Sequence, residues 1–442
     1  MVSSSDTATP DETIILQRGT LSQISAQAET EIEQAISRFV IDSVRIPDVK
    51  DMPVCSVQIG GASFDDSFYQ IGSSLFPNDS VSKQNTNITL THWNEPTQKE
   101  YPPYDHPFEA DGNIYGPNID FIDYMVFRPH SDDIIYGLYQ WDTGFVKGSQ
   151  TGTTNFSNFN AYIPKKATEK EKQYIQYSRE EAFVKNEAYE MVSGEKWKMQ
   201  DAVHYVENVY NTVLSKADVL SFHYAVKEID VLKISEHQYG YYFIMQMSDQ
   251  SGHLFDAGSK YTQRWIKKQI EDNKPFPMEN YCCAYCYEKE QLSYFEKGFT
   301  YSEITPSQET AEILSVSAAA EVIDHALAPS QVFRIPCAEL NYVLICKGYP
   351  YLEKWGLETD TESAYASYYY PHLARRECEF ELRPMWCFRT DQYSDLNQNT
   401  GYAFMVDAVN GKLWVIRVSN YLVGNEKDDA DRILAYVNGE VN

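Results

Sequence analysis

Two apolar runs near the end of the chain, 401–409 and 412–418, are separated only by Asn410-Gly411. Asn-Gly is the favoured pair for a two-residue type I′ turn, because both central positions need positive φ. The runs are therefore expected to fold back as an antiparallel hairpin. Asp407, three residues before Asn410, can accept amide hydrogen bonds around the bend, so its expected role is structural. Upstream, 331–346 and 377–389 carry strand patterns. Ser317 opens an Ala-rich stretch through Leu327 that stops at Ala328-Pro329, the pattern of a helix with its own end signal. Hairpin-linked strands beside a helix define an α+β fold of antiparallel sheets packed with a few helices.

Helical and strand periodicities also mark earlier segments. Ser178-Arg179-Glu180-Glu181 fits a capping box, in which Ser178 takes the N3 amide and Glu181 reaches back; a helix is predicted over 178–192, ending before Gly194. Ala202, Val203, Val206, Val209, Tyr210 and Val213 form one apolar face of a second helix at 200–214. Strand patterns on either side of the polar 235–238 predict a hairpin over 221–247. Ile32, Ala35, Ile36 and Phe39 predict a helix at 29–40, leading into a strand that Pro47 halts. At 442 residues the chain exceeds what one core usually serves. The expected layout is a polar tether at 1–25, an irregular β-rich domain at 26–165, an α+β domain at 166–305 and a second α+β domain at 306–442.

Against 37 Lys plus Arg stand 64 Asp plus Glu, a formal charge of −27 that repels phosphate backbones and anionic headgroups. Nucleic acid is not an expected partner. No stretch approaches the ~18 apolar residues that a membrane span needs, so membrane contact is expected only through a lipid anchor outside this sequence. The 34 Tyr suit half-buried strands, while Tyr365 to Tyr370 offer a candidate surface for sugar rings. Cys282-Cys283-Ala284-Tyr285-Cys286 contains CxxC without a second pair to complete a four-ligand site. The eight cysteines are expected to be buried or disulfide-bonded, with no metal and no cofactor. His204 and His325 fall inside predicted helices and read as core-edge imidazoles. GxSxG, HExxH, GxGxxG and the P-loop are all missing from the sequence, and no catalytic residue is assigned. Asp105, Glu109, Asp111, Asp120, Asp123, Asp132 and Asp133 could serve glycoside hydrolysis or calcium, but in so acidic a chain a solvated loop is expected.

Val406-Asp407-Ala408-Val409-Asn410-Gly411-Lys412 resembles the D-A-x-T-G-x ending of PepSY-type domains, with Asn410 where those domains carry Thr. Leu382-Arg383-Pro384-Met385-Trp386 resembles the L-x-P-x-W strand of extracytoplasmic regulators of Gram-positive sensor kinases. With the helix from Ser317, this resemblance covers a quarter of the chain. The polar stretch 2–13 resembles the tether behind the lipidated cysteine of bacterial surface lipoproteins, and the whole layout resembles secreted lipoproteins of gut Firmicutes. The resemblance implies a C-terminal PepSY-like helix-plus-sheet module in an exported, non-enzymatic protein that binds or modulates a protein partner at the cell surface. Leu382, Pro384, Trp386, Asp407, Ala408, Asn410 and Gly411 are then motif residues of strand and turn. Two alternatives stand beside it: a glycan-binding or glycan-degrading surface protein using aromatic platforms and the acids of 105–133, and an inhibitor of secreted peptidases.

Overall fold

The computed structural model describes residues 17–32, 38–59, 174–256, 275–277, 282–292, 294–297, 301–307, 312–347, 379–390, 403–417 and 425–437. It also describes Ser74 and the strands at 80–85, 108–110, 113–115, 123–128, 135–141 and 144–150. The predicted C-terminal hairpin is present: Ala403–Asp407 pairs antiparallel with Leu413–Arg417. Its turn is wider than a type I′ pair. Only Gly411 has positive φ, at 77°, and the reversal runs through Ala408, Val409, Asn410 and Gly411. The loop closes by the Asp407 amide donating to Lys412 O at 2.9 Å and the Gly411 amide to Asp407 O at 2.8 Å. Side chains account for the difference. Asp407 Oδ1 accepts from the amides of Val409 (2.8 Å) and Asn410 (3.1 Å), and Asn410 Oδ1 accepts from the Lys412 amide (2.8 Å). These bonds fill the wider loop with partners, leaving the single left-handed position to glycine.

From this hairpin the pairing passes antiparallel to Phe380–Arg389 and then to Ala338–Cys346. The predicted hairpin at 221–247 is Phe222–Lys233 with Tyr239–Asp249. Phe255 joins the two halves, pairing antiparallel with Met247 and parallel with Tyr342. Cys55–Ile59 pairs with Tyr301–Pro306 and with the start of Phe380–Arg389, and Gly144–Gln150 pairs with Tyr294–Lys297. Strands from all three segments expected as domains thus share one large, mostly antiparallel sheet, which with five helices among the described residues makes a mixed α/β fold.

The helices form where local signals and burial agree. Arg179–Lys185 starts at the predicted capping box, with the Glu181 amide on Ser178 Oγ (3.2 Å) and the Ser178 amide on Glu181 Oε2 (2.8 Å). It ends well before the predicted 192, because Asn186 adopts the left-handed conformation and Ala188–Glu190 pairs as a strand with Lys196–Lys198. Met199–Thr212 matches the second prediction and buries Ala202, Val203, Val206 and Tyr210. Val316–Leu327 is capped by Ser315, not Ser317. The first helix is Leu21–Ile32, earlier than the predicted 29–40: Leu21, Ile24 and Ala28 carry its buried stripe, while Phe39–Ile41 pairs parallel with Phe333–Ile335. A helix at Asn425–Val437 was not predicted.

One face of the sheet carries the helices. Tyr241 donates its hydroxyl to Trp197 O (2.7 Å) beside Met199–Thr212. Trp386 donates its indole N–H to Leu314 O (2.9 Å) beside Val316–Leu327, and Phe404 meets the rings of Phe39 and Phe333. No helix among the described residues is long and apolar enough to cross a membrane.

Candidate functional site

The seven motif residues come together, and each is used structurally. Leu382 and Trp386 are fully buried on the helix-bearing face. Pro384 O accepts the Ala408 amide (2.9 Å), and Ala408 O accepts the Leu314 amide (2.7 Å), stapling turn, strand and helix start together. Asp407, with no exposure, meets the Arg383 guanidinium as well as the turn amides. Asn410 and Gly411 close the loop.

The face opposite the helices is different. Met247, Phe255 and Tyr342 are neighbours on the helix-bearing side, and side chains alternate along a strand. Gln246, Asp256 and Asn341 adjoin them in sequence and so share the other side. Alternation places Glu339 with Asn341, and register places Met385 and Cys387 across from them. All of these are buried. Arg389 donates to Glu339 Oε2 (3.0 Å) and to Asp256 Oδ1 (2.7 Å), Lys227 contacts Glu339, and Arg45 lies 3.7 Å from it. Burial alone would push the Glu339 carboxyl up; the charges of Lys227, Arg389 and Arg45 outweigh it and hold the group at about 2. This network is satisfied. The Asn341 amide is not: it has no exposure, and neither its oxygen nor its nitrogen has a hydrogen-bond partner among the described residues. Gln246 donates to Phe255 O, while its Oε1 has no partner among the described residues. Unpaired buried amide atoms cost about 1–3 kcal/mol each, and here they sit on one face, on strands either side of the short Leu254–Phe255.

A cleft of ≈ 600 Å³ lies elsewhere, lined by Asp48, Val49, Lys50, Asp51, Ser251 and His253. His253 Nδ1 is 2.8 Å from Asp249 Oδ2 and Nε2 is 2.9 Å from Asp51 O. Acceptors at both nitrogens favour the protonated ring, in which neither nitrogen is free to act as a base. Burial by itself would lower the His253 pKa; the Asp249 hydrogen bond and charge and the Asp51 carbonyl raise it overall. Stability from this contact is expected to be complete below the ordinary value of 6.5 and to fade as pH rises through the raised folded value. Urea midpoints measured from about pH 5 to about pH 9 should fall more steeply for the wild type than for His253→Ala. The cleft is a pin between two loops.

The remaining sequence candidates divide cleanly. Cys283 and Cys286 occupy opposite faces of Cys283–Cys286, with Cys283 beside Tyr242 and Cys286 in the main core. The seven described cysteines form no disulfide with one another, and no group of three metal-ligating side chains occurs among the described residues. His204 and His325 are exposed on their helices, not core-edge groups, because the apolar stripes turn the other way. Among described side chains no Phe, Tyr or Trp is exposed; those rings fill the core. Tyr365 to Tyr370 lie outside the described residues, as do the side chains of the acids from 105 to 133. Gln246, Asp256, Glu339 and Asn341 were missed in the sequence, where they look like ordinary polar interruptions of strands. Comparison with family models, curated proteins and solved structures finds no match.

Proposed function

We propose that the protein is a non-enzymatic extracytoplasmic lipoprotein that binds or modulates a protein partner at the cell surface, with a PepSY-like C-terminal helix-and-sheet unit. Support for the compartment is the polar 2–13 stretch and the resemblance of the C-terminal motifs. Incorporation of labelled palmitate into the native protein, followed by membrane fractionation, tests it: a soluble, unlabelled product refutes the anchor.

The binding reading is carried by the chain's acid excess, 64 Asp plus Glu against 37 Lys plus Arg, which favours a basic partner. Asn341 and Gln246 are buried and present no surface to a ligand, so their amides are read as structural. Affinity of the native protein for a library of basic hexapeptides tests the reading: binding that weakens as salt is raised is expected, and no binding at low salt removes it. Asn341→Leu, which removes the buried amide at similar volume, is expected to keep a urea midpoint equal to or above that of the wild type.

A further inference from the structure

A second buried ion pair, on the helix-bearing side of the sheet, has a different character. Lys297, at the end of Tyr294–Lys297, contacts Asp218, which follows the 3-10 turn Leu214–Ala217. Their side chains are 0% and 3% exposed. Tyr224, also fully buried, donates its hydroxyl to Asp218 Oδ2 at 3.0 Å, and its ring centre lies 5.1 Å from Lys297 Nζ. The Tyr210 ring packs 5.6 Å from that of Tyr224. An amine, a carboxyl carbon and a proton donor on the carboxyl's other oxygen are thus brought together in an aromatic, water-poor setting.

We propose that Lys297 and Asp218 react to form an intramolecular amide bond that cross-links the sheet to the 3-10 turn. For the reaction the ammonium passes a proton to the carboxylate Oδ1, giving a neutral amine and a neutral acid. The Nζ lone pair then attacks Asp218 Cγ; a C–N bond forms, and the carbonyl electrons move onto Oδ2, where the Tyr224 hydroxyl stabilises them. The intermediate collapses as the Cγ–Oδ1 bond breaks. Oδ1 leaves as water, carrying the acid proton and one amine proton. No oxidant, metal or cofactor enters the balance.

The Lys227–Glu339 pair is the internal control. Glu339 meets three cations and stays an anion, a poor electrophile. Among the described residues Asp218 meets one cation, and burial pushes its carboxyl up in spite of Lys297 and Tyr224. One cross-link is expected, not two. This inference is independent of the proposed function.

The test is the intact mass of the full chain, reduced and denatured. The expected mass is one water below the sequence value, and a digest should yield a branched peptide joining the segments of residues 218 and 297. Asp218→Ala should run at its full sequence mass. Tyr224→Phe keeps the ring and removes the donor; in chains harvested early in expression, conversion should be slower by about tenfold or more. A wild-type chain at full sequence mass, or a missing water mapped to other residues, overturns the proposal without reliance on any variant folding. Conversion of Tyr224→Phe at the wild-type rate overturns the role given to the hydroxyl.

Discussion

Glu339→Ala is expected to destabilise the fold by about 3–5 kcal/mol, because it leaves buried cations without their shared anion. Lys227 and Arg389 keep only 8% and 15% of their side-chain surface exposed, so solvent cannot replace the lost carboxylate. Arg389 retains Asp256, whereas Lys227 loses the only carboxylate described beside it. The same group predicts an acid transition. Its folded value of about 2 lies below its ordinary 4.5, so its contribution is complete above about pH 4.5 and is lost as pH falls through about 2. The size of the shift corresponds to roughly 3 kcal/mol, in line with the substitution. Denaturant unfolding at neutral pH measures the first effect, and its repetition down to about pH 2 measures the second. A Glu339→Ala protein within about 1 kcal/mol of the wild type would contradict the buried network.

Trp386→Ala is expected to cost about 3–5 kcal/mol from lost packing. Trp386 has no exposed surface and is wedged between the sheet and the start of Val316–Leu327, where its indole N–H satisfies Leu314 O. Truncation opens a cavity and also leaves that carbonyl without its partner, adding about 1–3 kcal/mol. Trp386→Phe separates the two terms, since it keeps most of the apolar volume and loses the donor. Circular dichroism through a urea titration gives the stability, and hydrogen exchange at 316–327 locates the loss. Equal protection of that helix in wild type and Trp386→Ala would show that the indole does not hold helix to sheet.

Trp386 also shows how far sequence reasoning reached. The strand holding it, the helix after Ser315 and the hairpin beyond Ala403 all carry local signals: apolar runs, a cap, a Gly at the one left-handed turn position. The capping box at Ser178 and Glu181 has the predicted reciprocal bonds for the same reason, since both partners lie within one helical turn. Prediction failed where a neighbour distant in sequence decided the outcome. The helix expected through 192 gave way at Asn186 to a strand that pairs with Lys196–Lys198, and Phe39 joined Phe333 in place of continuing a helix. The type I′ turn gave way to a four-residue loop because Asp407 and Asn410 bond its amides.

The polar groups of greatest interest were out of reach. Gln246, Asp256, Glu339 and Arg389 are spread over some hundred and fifty positions of sequence and meet only through strand register and a two-residue strand, Leu254–Phe255, that links the two halves of the sheet. Lys297 and Asp218 meet because a turn after Met199–Thr212 lands beside the end of another strand. What the amino acids determine by themselves is where the backbone can coil, extend or reverse, since those choices rest on torsion angles and bonds a few residues long. Which carboxyl loses its water, and which cation faces it, is decided by the long-range closure of the sheet, whose burial sets the charge each group can keep.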